Sequence, residues 1–242
     1  MSPTARERAR EQFTADLLAA ARTRLAAEGP AGLSLRAVAR DLGVASSAVY
    51  RYVESRDALL TRLIIEAYEG VGRAGEDAAE RARGAGAAPG DTWLAVARGV
   101  RAWAIANRSS FELIYGTPIP GYRAPQDTVV AALRIWHVII AILLRAGRDG
   151  ELRPTGPDFD PDGRVLPEVY AVAGLPPDVA TTDPEQARAA IRSVTLFAAL
   201  IGAISAELFG HLHGMTGDYD ALFDVTIATA AVGVGLHAAV PD

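Results

Sequence analysis

Apolar side chains recur three and four positions apart along almost the whole chain, and no stretch shows the apolar–polar alternation of a half-buried strand. That period sets the fold class as all-α. Phe13, Leu17, Leu18, Ala21 and Leu25 predict a first helix over about 9–27, ended by Gly29, Pro30 and Gly32. Leu35, Val38, Ala39 and Leu42 predict a short second helix capped by Ser34. Gly43 follows at once, and Ser46 or Ser47 is placed to cap a third helix running to about Tyr52. Ser55 is placed to cap a fourth, over 56–72, with Leu59, Leu60, Leu63, Ile64 and Ala67 inward. The Ala-, Gly-, Arg- and Glu-rich run from Gly72 to Gly90 reads as the frayed end of that helix or as a loop. Further helices are expected over 91–107, 109–116, 125–147, 184–214 and 219–239, with a short one at 165–172 inside the proline- and glycine-rich connection 148–183.

Composition removes several classes of chemistry. The 242 residues include no cysteine, so disulfides, thiolate metal sites and cysteine nucleophiles are excluded. There is no lysine, which excludes Schiff-base chemistry and leaves every cationic phosphate contact to arginine. No glycine-rich phosphate loop, serine elbow or metal-spaced cluster is present, and the chain is read as a non-enzyme without metal or cofactor. His211 and His213 are two apart and face different ways on a helix. Glu207 and His211 share a face, and are read as a polar contact near a helix end. The most apolar stretches, 129–144 and 191–209, carry Arg134 or Arg192 and Glu207, too polar or too short to be read as membrane spans. With no secretion signal visible, the sequence reading expects a cytoplasmic protein. The net charge of −5 is unevenly spread: residues 1–62 hold ten arginines against seven carboxylates, the remainder fourteen against twenty-two.

Two short helices about a glycine-bearing turn form a helix-turn-helix signature, in which the second helix enters the major groove of duplex DNA. Its candidate reading face is Ala45, Ser46, Ser47, Ala48 and Arg51, with Arg36 on the preceding helix. Serine hydroxyls bond bases or phosphates and alanine methyls touch thymine methyls, but none of these makes a strong bidentate base contact. Tyr50 is expected partly packed on the first helix with its hydroxyl at a phosphate, and Tyr52 as the second phosphate or groove contact. Both tyrosines as plain packing is the bland alternative. Arg56, in the first turn of the fourth helix, is expected at a phosphate, against the alternative of a solvated pair with Asp57. Arg6, Arg8 and Arg10 read as a ragged charged terminus that at most brushes the duplex loosely.

Residues Leu17 to Leu63, and in particular "AARTRLAAEGPAGLSLRAVARDLGVASSAVYRYVESRDALLTRL", resemble the DNA-binding domain of the tetracycline-repressor-like (TetR) family. The matching features are Gly29 after the first helix, the helix Leu35–Leu42, the turn Gly43–Val44 and the aromatic pair Tyr50 and Tyr52. The family usually has an aromatic residue where this chain has Val53, and commonly lysine in place of Arg56. "NRSSFELIYG" at 107–116 and "ELFGHLHG" at 207–214, with the tryptophans, resemble a subgroup with a Trp-His-Gly type C-terminal domain. The resemblance implies about nine helices, an obligate two-fold dimer and repression relieved by a small molecule.

The expected organisation is therefore a DNA-binding domain over 1–60 and a helical effector-binding and dimerisation domain over 61–242. The last two long helices are the expected clamp, with Val194, Ile201, Ile204, Leu208, Phe223, Ile227, Ala231 and Val234 at the dimer interface and Ala228, Ala231 and Gly235 allowing close approach. Phe197 lies on the same stripe. Plain burial within one subunit is the alternative for each. Trp93, Trp103, Phe111, Ile114, Tyr115, Trp136, His137, Ile140 and Phe197 are the expected walls of a chamber for a small hydrophobic effector, with packing in the core the alternative. Segment 148–183 is expected to cover that chamber or to be partly disordered. The partners implied are an inverted-repeat DNA operator, a small-molecule effector and a second copy of the chain. A regulator that activates, or that responds to no effector, is the alternative function.

Overall fold

The computed structural model describes residues 4–240, and all regular structure among them is helical. Helix α1, Ala5–Gly32, starts at a capping box in which Thr4 Oγ1 accepts from the Glu7 N–H and Glu7 returns a carboxylate to the Thr4 N–H at 2.6 Å. It breaks at Gly29, whose φ of 69° suits only glycine, before a last turn begins at Pro30. Helix α2, Leu35–Asp41, is capped by Ser34, which accepts the Ala37 N–H at 3.2 Å. Gly43, at φ 65°, then reverses the chain into α3, Ser46–Tyr50. Five residues cannot sustain a helix in water, so α3 is held by packing. Its Val49 is fully buried in a cluster with Leu17, Leu25, Val38, Val53, Leu59 and Leu63.

The fourth helix, α4, is Arg56–Gly84, so the run after Gly72 is helix and not loop. Small residues there serve close packing: Gly72 and Gly75 lie against Arg134 and Ile135. Next come α5, Pro89–Ala106, α6, Arg108–Tyr115, α7, Asp127–Ala132, and α8, Arg134–Arg148. The single helix expected over 125–147 is thus divided at Leu133. The connection that follows is not structureless, since it holds α9, Pro167–Val172, and α10, Val179–Thr182. The long pair α11, Pro184–Leu208, and α12, Tyr219–Val234, completes the chain. Twelve helices are described where the resemblance implied about nine, the excess being the short α7, α9 and α10.

The chain divides into two compact units, 1–68 with 107–129 and 69–106 with 130–242. The first is larger than the expected 1–60, because α6 packs on α1 and Leu113 sits in the same buried cluster as Val49. Ile119 and Tyr122, in the loop after α6, pack on that cluster as well. Thr61 and Tyr122 share a hydrogen bond of 2.9 Å, and the Tyr68 hydroxyl donates to the Ile114 carbonyl at 3.4 Å. Burial pushes the Tyr115 and Tyr68 hydroxyls above the usual tyrosine range.

In the second unit α11 packs on α8 and α12, and α12 on α5. Arginines tie the unit together: Arg101 bonds Glu207 through Nε at 2.6 Å and Nη2 at 2.8 Å and reaches Asp220, while Arg98 pairs with Asp224 and Arg134 with Glu76. The connection 149–183 is strapped to α11 and the end of α12: Arg188 Nε donates to the Phe159 carbonyl, Arg192 to that of Pro157, and the Arg153 N–H to that of Gly235. Helix α11 is long and apolar enough to pass for a membrane span by length and composition alone, with a window of mean hydropathy 1.8, which a core helix does equally well. Its apolar surplus serves a buried face, Ala187, Ala190, Leu196, Leu200 and Ile204, and an exposed or half-exposed one described below.

Candidate functional site

The first unit leaves much of the candidate reading face of α3 exposed. Ala45 caps the helix without a side-chain bond, leaving Ser46 and Ser47 in the first turn and not at the cap. Ala45, Ser47 and Arg51 are exposed, and Ser46 and Ala48 half-exposed. On α2, Arg36 is exposed, and so is Arg40 one turn later, a residue outside the expected reading face although the i, i+4 spacing marks it. None of Arg36, Arg40 and Arg51 makes a side-chain hydrogen bond or ion pair among the described residues. The Asp41 carboxyl is held below its usual range by its bonds to Arg24 and, less, by the neighbouring Arg40, while Arg36, Arg40 and Arg51 all keep their side chains exposed, as contact with a polyanion requires.

Three expectations for this face are corrected. The two tyrosines exchange roles: Tyr50 is 49% exposed, and Tyr52 is the packed one, its ring centroid 4.4 Å from that of Phe13. This contact also explains how α3 seats with valine at 53, since Val53 is buried and Tyr52 supplies the aromatic surface alongside it. Arg56 is an internal staple, its Nε donating to the Leu33 carbonyl at 3.0 Å and Nη2 to that of Pro30 at 2.7 Å, with Asp57 at 3.6 Å from Nη1. It satisfies carbonyls at the broken end of α1, a demand the sequence alone did not reveal.

In the second unit Trp136 and Phe197 line one cleft of about 370 Å³ with Ala132, Leu133, Val169, Val172 and Val194. Glu168 is the single charged residue of the lining. Trp136 spends its indole N–H on Ser193 Oγ at 2.9 Å, which leaves the ring surface to the cleft. The other residues expected as chamber walls lie elsewhere. Trp93 and Phe111 are wholly buried, Trp93 with its N–H toward the Ile227 carbonyl. Trp103 packs against Gly70, and Ile140 belongs to the buried cluster around Trp136 without lining the cleft. Phe111, Ile114 and Tyr115 belong to the first unit. His137 is exposed and its Nε2 donates to the Val172 carbonyl at 2.6 Å, the neighbouring-carbonyl role open to it from sequence. Glu207 and His211 are not a pair: the helix ends at Leu208 and Glu207 is taken by Arg101.

The expected clamp residues also divide. Ile204, Phe223, Ile227, Ala231 and Val234 are buried inside this subunit, as is Ala228, while Gly235 forms the left-handed cap of α12 against Arg153 and Pro154. Val194 is 46% exposed, and Ile201 and Leu208 are partly exposed. With Ala198, Gly202 and Ser205 they form a stripe of α11, and α12, which packs on α11, exposes Val225, Thr229 and Val232. From Val225 to Val234, α12 carries no charged residue and only Thr226 and Thr229 as polar ones, so its period could not mark which side faces inward.

The profile of bacterial regulatory proteins of the tetR family matches residues 17–63, and that of the tetracyclin repressor-like C-terminal domain matches residues 93–230. The HTH-type transcriptional regulators Rv1816 of Mycobacterium tuberculosis and Mb1846 of Mycobacterium bovis are each 37% identical over 233 residues, 90% of this chain and 91% of theirs. Among solved structures, SCO4313 is 30% identical with a TM-score of 0.70 and covers 95% of this chain and 98% of its own. RolR, solved with resorcinol, is similar in fold alone, with a TM-score of 0.51 at 18% identity over 94% of this chain and 90% of its own. With both profiles and near-full-length relatives in agreement, the chain belongs to the TetR family of helix-turn-helix transcription regulators.

Proposed function

We propose that the protein is a repressor that binds an inverted-repeat operator as a homodimer, in the cytoplasm, and releases it when a small hydrophobic effector binds. The observation that carries the DNA half of this reading is the face of α2 and α3, on which Arg36, Arg40 and Arg51 stand exposed without an ion pair while Val49 anchors the helix beneath them. Arginine and hydroxyl contacts to phosphate would set the register, and Ser46, Ser47 and Tyr50 would meet the groove. Two such heads must sit about 34–36 Å apart to reach successive major grooves. The exposed stripe of Val194, Ala198, Ile201 and Gly202, with Val225, Thr229 and Val232 of α12, supports pairing of two copies into a four-helix interface.

The cleft at Trp136 and Phe197 supports an apolar effector: aromatic and aliphatic walls carry the affinity and Glu168 supplies the one charged contact. Release requires the effector to favour the arrangement of heads that does not fit the duplex, since equal affinity for both arrangements shifts nothing.

Selection of bound duplexes from a genomic pool tests this reading. The expected product is a sequence with two inverted half-sites whose centres lie about one helical turn, or a multiple of it, apart. Enrichment of sites with no inverted repeat contradicts the paired-head arrangement.

A further inference from the structure

The first two turns of α1 are helical and stand clear of the core. The first residue of α1 to pack on the buried cluster is Phe13, and everything from Thr4 to Gln12 is exposed. The helical state of this segment is set by the Thr4–Glu7 capping box, which also occupies the Glu7 carboxylate. Within it Arg6 and Arg10 fall at i−7 and i−3 from Phe13, on one face of the helix, whereas Glu11 stands on another. The direction of that face is marked twice: Phe13 packs on Tyr52, just past the end of α3, and Arg24, eleven residues on, bonds Asp41 at the end of α2 through Nε at 2.5 Å and Nη2 at 2.8 Å. Arg6 and Arg10 therefore point to the side of α1 on which α2 and α3 end. They lie about 10 Å and 4.5 Å before Phe13 along the axis. Neither makes a side-chain hydrogen bond or ion pair among the described residues.

We propose that this N-terminal extension of α1 is a second DNA-binding element, in which Arg6 and Arg10 neutralise backbone phosphates flanking the half-site met by α3. The proposal rests on the DNA-binding reading of the first unit and adds to it a contact outside the helix-turn-helix. Its ligand is the duplex backbone and not a base, because two solvated arginines on an exposed helix form no pocket to read an edge. Phosphates so neutralised release counterions, so the contact has its own signature in salt.

The test compares the full-length protein with Arg6→Gln/Arg10→Gln on a duplex that the wild type binds, over a range of salt concentrations. For every phosphate no longer neutralised, the plot of log Kobs against log salt becomes shallower by about 0.9, or by up to roughly 3.6 for four arginines on a two-headed complex. Affinity at low salt is expected to fall roughly tenfold or more, and hydroxyl-radical protection to retreat at the outer edges of the footprint. Arg6→Lys/Arg10→Lys is expected to keep most of the slope. Thr4→Ala, which removes the cap, is expected to lose part of it. The thermal midpoint of the glutamine variant should equal that of the wild type, since these side chains bond nothing among the described residues. An unchanged slope and footprint in the glutamine variant overturns the proposal while leaving the helix-turn-helix reading intact. A wild type that binds no duplex at low salt overturns the reading on which the proposal rests.

Discussion

Both units staple their helices with arginine and leave other arginines exposed without a side-chain bond among the described residues. Among these are Arg81, Arg83 and Arg148 in the second unit, and Arg36, Arg40 and Arg51 on α2 and just past α3 in the first. In the second unit Arg98, Arg101, Arg134 and Arg188 are turned onto carboxylates and carbonyls and hold helices together. In the first, Arg22, Arg24 and Arg56 do the same work between α1, α2 and α4, and Arg62 ties α4 to the turn after α3, but Arg36, Arg40 and Arg51 are left to solvent. A chain without lysine must draw both its structural staples and most of its solvent-facing cations from one side chain. What separates the two uses is whether a carboxylate or an orphan carbonyl lies within reach, which exposure and hydrogen bonding reveal and residue type does not.

This contrast can be broken by removing arginines of each kind. The largest loss of stability is expected for Arg101→Ala, because its side chain is only 12% exposed and its loss strands Glu207, itself 15% exposed; about 3 kcal/mol, by denaturant titration, is expected for a pair this buried. Arg56→Ala comes next, at roughly 2 kcal/mol for a charged donor to two backbone carbonyls. Any weakening of duplex binding in that variant should track the unfolded fraction and leave the salt slope alone. Tyr122→Phe removes the bond to Thr61 and is expected to cost about 1 kcal/mol in the first unit. The smallest effect on stability, within about 0.5 kcal/mol, is expected for Arg51→Ala. A thermal midpoint that falls as far for Arg51→Ala as for Arg56→Ala would erase the distinction between free and stapled cations.

Much of the first unit was legible in the sequence because local signals agreed there. Ser34 as a cap, Gly43 as the reversal and the apolar spacing around Val38 each admit few conformations, and together they place α2 and α3 within a residue or two. What the same stretch withheld was orientation about a short helix. Tyr50 and Tyr52 differ only in which one meets Phe13, a contact across some forty residues of sequence. The role of Arg56 was hidden for the same reason, since the carbonyls it satisfies exist only because α1 breaks at Gly29.

The second unit was legible as helices but not as surfaces. Ile227 and Ala231 are as apolar as Val225 and Val232, yet the first two are fully buried and the others exposed. Periodicity identifies an inside only when the other side is polar, and beyond Asp224 the two threonines of α12 are too few to make such a side. The cleft was half found, through Trp136 and Phe197, and half missed, because Val169 and Val172 come from the proline-rich connection where no period announced a wall.

The central claim is that the outward face of α2 and α3 meets duplex DNA through arginines that no internal hydrogen bond or ion pair holds. The most direct measurement is the salt dependence of binding to a selected duplex for the wild type, Arg51→Ala and Arg56→Ala. The account predicts a steep slope for the wild type, a slope lower by about 0.9 for each phosphate that Arg51→Ala leaves unneutralised, and an unchanged slope in Arg56→Ala. Equal slopes in wild type and Arg51→Ala, or no attraction of the wild type to any duplex at low salt, would contradict it.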